Sequence, residues 1–294
     1  MTKTIHTGPH QFSTPDTVLV IGATGKVGRH VVAGLIDEGV HVRALVRDPM
    51  TAGLPEEVDL VEGDLNRPET VRTAAQGSAA AFLLWPGFDP TGAAEVVSGL
   101  ADQVGHIVYL SAARLQRQEE GVTEGVWAEV ERLIAVSGAD WTFVRAGGFA
   151  ANSLGWGAAI RAGDPLRVPH PRAARSPVHE RDIAEVSIRA LLDPGHTGRA
   201  YAVTGPEVLS TIDQADIIGE IIGREVAVGE QSAVEARREL EPFMGSEGAD
   251  LAIAYWATLV DSPERATDDV ERITGQPPRG YAAWVHDHVE EFTA

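Results

Sequence analysis

Apolar and polar positions along this chain change period in a regular way. Residues 17–21 (TVLVI) form an unbroken β-branched run ended by Gly22, the pattern of a strand buried on both faces of a parallel sheet. After it, Val27, Val31, Gly34 and Leu35 recur at i, i+4, i+7 and i+8, which marks one face of a helix reaching about Glu38 and closed by Gly39. The alternation then repeats. β-rich runs lie at 40–46, 58–62, 79–85, 106–110 and 141–145, and helical stretches at about 68–76, 93–100 and 126–134. Six strands with helices between them predict an α/β fold with a doubly wound parallel sheet.

Beyond Gly147 the alternation weakens into Gly- and Pro-rich loop signals, followed by expected helices near 180–192, 211–222, 231–243, 247–260 and 281–292. The reading is a polar leader over 1–16, a sheet domain over 17–150 and a smaller, mostly helical lobe over 151–294, with the chain returning to the sheet near 178–203. In the last helix Tyr281, Trp284, Val285, His288, Val289 and Phe292 share one face, so that helix is expected to dock.

Composition narrows the classes. The 294 residues include no cysteine, which excludes disulfides, thiolate metal sites and a cysteine nucleophile. Lys and Arg number 24 against 43 Asp and Glu, a net charge of −19 that repels nucleic acid and anionic lipid, so neither is an expected partner. No apolar run has the length of a membrane span or the form of a signal peptide, and cytoplasmic residence is expected, with oligomerisation left open.

The chemistry is carried first by Gly22-Ala23-Thr24-Gly25-Lys26-Val27-Gly28, placed where the first strand turns into the first helix. Glycines there let main-chain amides approach a pyrophosphate, and the helix start adds partial positive charge. Thr24, Lys26 and Val27 are therefore candidate cofactor-binding residues with the three glycines. The second strand ends at Arg47, where an NAD-preferring site carries an acid. A forked cation suits a 2′-phosphate, with Lys26, Arg29 and Arg43 adding basic character, so NADP(H) is expected over NAD(H). Asp48 leaves NAD(H) tolerance open.

The ordered set GATGKVG, ALVRDP (44–49), VEGDL (61–65), YLSA (109–112), ERLIAVSGADWTFVRAGGFAAN (131–152) and VHERDIAEV (178–186) resembles the NmrA-like group of atypical short-chain dehydrogenase/reductases, well over 17–195 and loosely beyond. The resemblance implies a Rossmann fold, Asp64 and Leu65 beside the adenine, Leu84 and Trp85 bordering the ribose, and Ser111 and Gly147 near the nicotinamide. It also implies an acidic residue at the helix start occupied by Asp182. Typical members carry Tyr and Lys four apart on the helix after strand five; this chain is read as having Trp127 and Glu131 there. An indole cannot protonate a nascent alkoxide, so the usual mechanism does not transfer. A quinone avoids the need, because hydride transfer leaves a phenolate of pKa about 10.

The expected function is hydride transfer from NAD(P)H to a quinone, an enone or a related aromatic carbonyl, with Ser111 and Trp127 at the reacting centre. Trp85, Phe88, Trp127, Phe149 and Trp156 are expected around the crevice. Loss of the Tyr–Lys pair equally supports a non-catalytic redox sensor acting on a protein partner, and a third reading is an isomerase or cyclase that uses the dinucleotide structurally. Tyr109 is expected to point away from Ser111. His170 and His179 are read as isolated in the loop before the helix at 180, with His179 a candidate start of that helix, His286 and His288 as surface and packing groups of the terminal helix, and Arg145 and Asn152 as ordering the cofactor-side loop.

Overall fold

The computed structural model describes residues 14–112 and 125–293; most of the expected leader lies outside them. The first half follows the predicted order: β1 (Thr17–Ile21), α1 (Gly28–Asp37), β2 (His41–Val46), β3 (Asp59–Glu62), α2 (Pro68–Ala75), β4 (Ala80–Leu84), α3 (Ala93–Ala101), β5 (His106–Ala112), α4 (Val126–Ala135) and β6 (Asp140–Ala146). There follow α5 (Gly157–Ala162), β7 (Leu166–Val168), β8 (Ala174–Arg175), α6 (Glu180–Leu192), β9 (Arg199–Val203), β10 (Leu209–Ser210), α7 (Thr211–Ile222) and β11 (Val228–Glu230). The chain then forms α8 (Ala233–Asp261), α9 (Asp269–Thr274), α10 (Tyr281–Asp287) and α11 (Glu290–Thr293).

One parallel sheet runs in the order β3-β2-β1-β4-β5-β6-β9. The fold is the doubly wound α/β architecture, with seven strands where six were expected. The extra strand, RAYAV, is a short edge element that opens on a charged residue, so its pattern is too weak to stand out. The order reverses between β1 and β4, which opens a crevice at the C-terminal ends of those strands.

Alternate residues feed two cores. Val18 and Val20 face α1 and α6 with Val31, Leu35, Ile183 and Leu191, while Leu19 and Ile21 face α2, α3 and α4 with Val71, Val96, Leu100 and Val130. A third cluster gathers Ile160, Leu166, Ile218, Tyr281, Trp284 and Phe292 beneath the lobe.

Two expected helices differ in detail. α8 spans both stretches read as separate helices, and Gly245, at φ 73° and ψ 170°, breaks it between them. The terminal helix splits after Asp287. There the His288 ring nitrogen Nδ1 lies 2.9 Å from the Trp284 carbonyl, the acceptor its own amide would use in a continuing helix; that amide turns to Val285 instead. Among the described residues no helix is long and apolar enough to cross a membrane.

Candidate functional site

The glycine turn is fixed by contact. Gly22 sits at φ +88° against Leu84, and a Cβ on Gly28 would stand 2.0 Å from the Gly22 carbonyl oxygen. Gly25 donates its amide to that same oxygen at 3.0 Å, closing the turn. α1 has no side-chain cap, and the amides of Thr24, Lys26, Val27 and Gly28 meet no acceptor among the described residues. Unsatisfied amides at a helix start, approached without side-chain obstruction, fit a diphosphate.

The basic residues around this turn divide. Arg47, at the crevice end of β2, is exposed and has no partner among the described residues. Asp48 spends both oxygens on the following turn, accepting from the Met50 amide and the Thr51 hydroxyl at 2.9 Å each. Its carboxylate is thus engaged away from any ribose. Arg43 does not join the turn: it lies toward the opposite end of β2, bonded to Asp59 at 2.7 Å and to the carbonyls of Ala74 and Gln76. Strand direction separates it from Arg47. Lys26 reaches across to the Ala151 carbonyl at 3.0 Å and ties the turn to the start of the lobe, and Arg29 bonds Thr24. Asp64 accepts from the Asn66 amide at 2.9 Å and, with Leu65, is half-buried just beyond β3.

Ser111 is 4% exposed near the crevice end of β5, and its hydroxyl has no hydrogen-bond partner among the described residues. Tyr109, two residues earlier, shares its face of the strand, contrary to expectation, because side chains alternate with period two. The Tyr109 ring packs edge-to-face on Phe143, and burial, with the nearby Glu131 charge, pushes its phenol well above the ordinary range. Tyr109 is a core residue whose hydroxyl has no hydrogen-bond partner among the described residues.

Glu131 is not a free acid. Both its oxygens accept from Arg145, from Nε at 3.0 Å and Nη2 at 2.6 Å, and Arg145 is the register partner of Ser111 in the neighbouring strand. The charge read as reversed is therefore neutralised from the sheet, and Arg145 is occupied rather than ordering a loop. Trp127 lies one turn nearer the crevice, edge-to-face with Phe88 at 5.5 Å.

Of the five expected aromatics, Phe88 and Trp127 meet each other. Trp85 joins the core, its indole donating to the Asp89 carbonyl at 2.9 Å. Phe149, half-buried, packs against both the sheet core and the lobe cluster, and Trp156 against the lobe cluster. Gly147 closes the end of β6, its amide donating to Val203 at 2.8 Å.

The start of α6 brings together groups that sequence reasoning read separately. His179 caps the helix, its Nδ1 accepting from the Arg181 amide at 3.2 Å, and its Nε2 faces Asp287 at 3.3 Å. Burial holds its pKa down despite Glu180, Asp182 and Asp287 nearby. Glu180 accepts from the Trp284 indole at 2.9 Å and lies 3.1 Å from His288 Nε2. Asp182, fully buried, accepts from the Arg279 amide at 2.8 Å and from its guanidinium; burial raises the carboxyl's pKa, and Arg279 opposes that rise. This clamp fastens the terminal segment to the sheet domain. The only local signal was a titratable run, HERD at 179–182, opening a helix that is apolar on most sides.

The family model described as NAD(P)H-binding matches residues 22–194. Over 288 residues the chain is 32% identical to (4-alkanoyl-5-oxo-2,5-dihydrofuran-3-yl)methyl phosphate reductase of Streptomyces griseus, covering 94% of this chain and 99% of that one. It is 31% identical over 285 residues to NAD(P)H azoreductase of Xenophilus azovorans, again covering 94% and 99%. Among solved structures, Citrobacter sp. triphenylmethane reductase superposes with a TM-score of 0.77 at 22% identity, over 95% of this chain and 100% of that one. With its glycine turn, its open sheet and these relatives, the chain belongs to the NAD(P)H-binding family of NmrA-like, atypical short-chain dehydrogenase/reductases.

Proposed function

We propose that the chain is an NADPH-preferring reductase of conjugated, electron-poor acceptors: quinones and related aromatic carbonyls, azo compounds and enones. The observation that carries this reading is the crevice end of β5 and α4. There the Ser111 hydroxyl is buried with no hydrogen-bond partner among the described residues, Trp127 on α4 meets Phe88 edge-to-face, and Glu131, one turn further along α4, is held by Arg145. When bound, reduced nicotinamide supplies a hydride from its C4 carbon.

The chain's residues bind and orient; none of those at this face is a strong acid. That suits acceptors whose new charge is delocalised or falls on a weakly basic atom, a phenolate of pKa about 10 rather than an alkoxide. The names of the two curated relatives denote an azo acceptor and a conjugated unsaturated lactone, which share this property. On this reading Ser111 Oγ donates a hydrogen bond to cofactor or acceptor, which its burial without a partner among the described residues supports. Arg47, unpartnered where Asp48 is engaged, supports NADPH over NADH.

The test is NADPH oxidation with a quinone, an azo dye, a conjugated enone and a saturated ketone. Turnover of at least one conjugated class, with the saturated ketone inert, is expected. No oxidation by any acceptor, despite tight nucleotide binding, overturns the proposal. If the bound nucleotide's redox state also changes affinity at least about tenfold, the sensor reading replaces it.

A further inference from the structure

We infer that Arg175 forms a subsite for an anionic substituent of the acceptor, an oxyanion such as phosphate or sulfonate carried beside the reducible group; the assignment rests on the reductase reading above. Arg175 closes β8, and its guanidinium lies on the end of β6. A Cβ on Gly148 would stand 3.0 Å from both its Cζ and its Nε, and 3.4 Å from Nη2. A side chain at Gly148 would crowd the planar group, which rests against that backbone one residue beyond Gly147, at the edge where open α/β sheets seat their ligands.

The fork is held through one side. Nε donates to Glu264 Oε1 at 3.1 Å; the Tyr255 hydroxyl donates to the same oxygen at 2.7 Å, and the Ser176 amide to Oε2 at 3.4 Å. The Tyr255 ring stands 5.9 Å from Cζ. Glu264, with its side chain 10% exposed, is thus a buried bracket with its charge spread over three donors, while the Arg175 side chain is 30% exposed.

Neither Nη1 nor Nη2 of Arg175 has a hydrogen-bond partner among the described residues. By contrast, Arg279 spends its terminal nitrogens on Asp182 and Glu185, and Arg145 spends Nε and Nη2 on Glu131. A guanidinium fixed along one edge presents the other as a planar pair of donors, matched to two oxygens of an oxyanion. Its orientation is set before the ligand arrives, which reduces the entropy lost on binding.

The experiment uses the full chain saturated with NADP, titrated calorimetrically with three non-reducible probes of one ring system: naphthyl phosphate, naphthalene sulfonate and naphthol. In parallel, turnover is compared for a naphthoquinone with and without a ring sulfonate. The wild type is expected to bind at least one anionic probe about tenfold more tightly than naphthol, with the preference falling as salt rises. Arg175→Met should lose that preference and lose at least about tenfold more kcat/KM on the sulfonated than on the neutral quinone. Arg175→Lys should recover only part of it. Whichever of phosphate and sulfonate binds more tightly identifies the oxyanion.

Equal wild-type affinity for anionic and neutral probes overturns the subsite without any variant. So does an Arg175→Met chain, still binding NADPH, that weakens all three probes alike. If Arg175-dependent anion binding is found but no acceptor is reduced, the subsite stands and the reductase reading falls.

Discussion

At the β1–α1 side of the crevice, Lys26 and Arg29 are engaged only by backbone carbonyls and Arg47 by no described residue, whereas on the far side arginines meet carboxylates: Arg145 with Glu131, Arg175 with Glu264, Arg279 with Asp182 and Glu185. The first region is shaped by glycine and backbone, and its cations meet no carboxylate among the described residues. The second joins segments far apart in sequence, and its buried pairs fasten them. Removing one partner of a buried pair strands the other, so the two regions should fail differently: the first by losing ligand, the second, at Arg145 and Arg279, by losing stability.

The largest effect should come from Gly28→Ala, because its Cβ would stand 2.0 Å from a carbonyl oxygen. NADPH affinity by fluorescence titration is expected to fall about a thousandfold or more, roughly 4 kcal/mol. A loss under tenfold would show that the turn is not the nucleotide's seat. Next, Asp182→Ala should cost about 3 kcal/mol or more in urea unfolding by stranding Arg279, with a smaller effect on nucleotide affinity. A reversed ranking of those two effects would break the comparison.

A third prediction concerns acid. The His106 ring lies 2.9 Å from the Thr142 hydroxyl, and burial lowers its pKa to about 4. The unfolded chain takes up that proton near pH 6.5 and the folded chain only near pH 4. The contribution is therefore complete above pH 6.5 and is lost as pH falls through that window. Between about pH 7.5 and about pH 5 the loss is roughly 2 kcal/mol. In His106→Asn the pH dependence of the unfolding free energy should shrink by that amount; an unchanged slope would assign the acid sensitivity elsewhere. The smallest effect is Arg47→Glu, expected to weaken NADPH about tenfold and NADH little. Equal losses for both would remove the 2′-phosphate contact.

Much of the first region was legible because its signals are local. Strand period, the glycine spacing and Arg47 at a strand end are all readable within a few residues. Errors arose where one strand serves two ends, as with Arg43, or where the pleat was misapplied, as with Tyr109. Ring type says nothing of rotamer: Trp85 joins the core while Phe88 and Trp127 meet. β9 was weak in pattern because an edge strand needs only half the apolar content of a central one.

By itself the sequence determined the alternation of strands and helices, the glycine turn between β1 and α1 and the strong acidity of the chain, since each depends on residue identity, backbone preferences and side-chain period over short spans. Which charges remain available to a ligand was decided only by tertiary structure. Glu131 and Arg145 stand 14 residues apart, Arg175 and Glu264 89, and Asp182 and Arg279 97. A carboxylate's partner depends on which elements the packed core brings against it, and residue identity along the chain does not encode that contact.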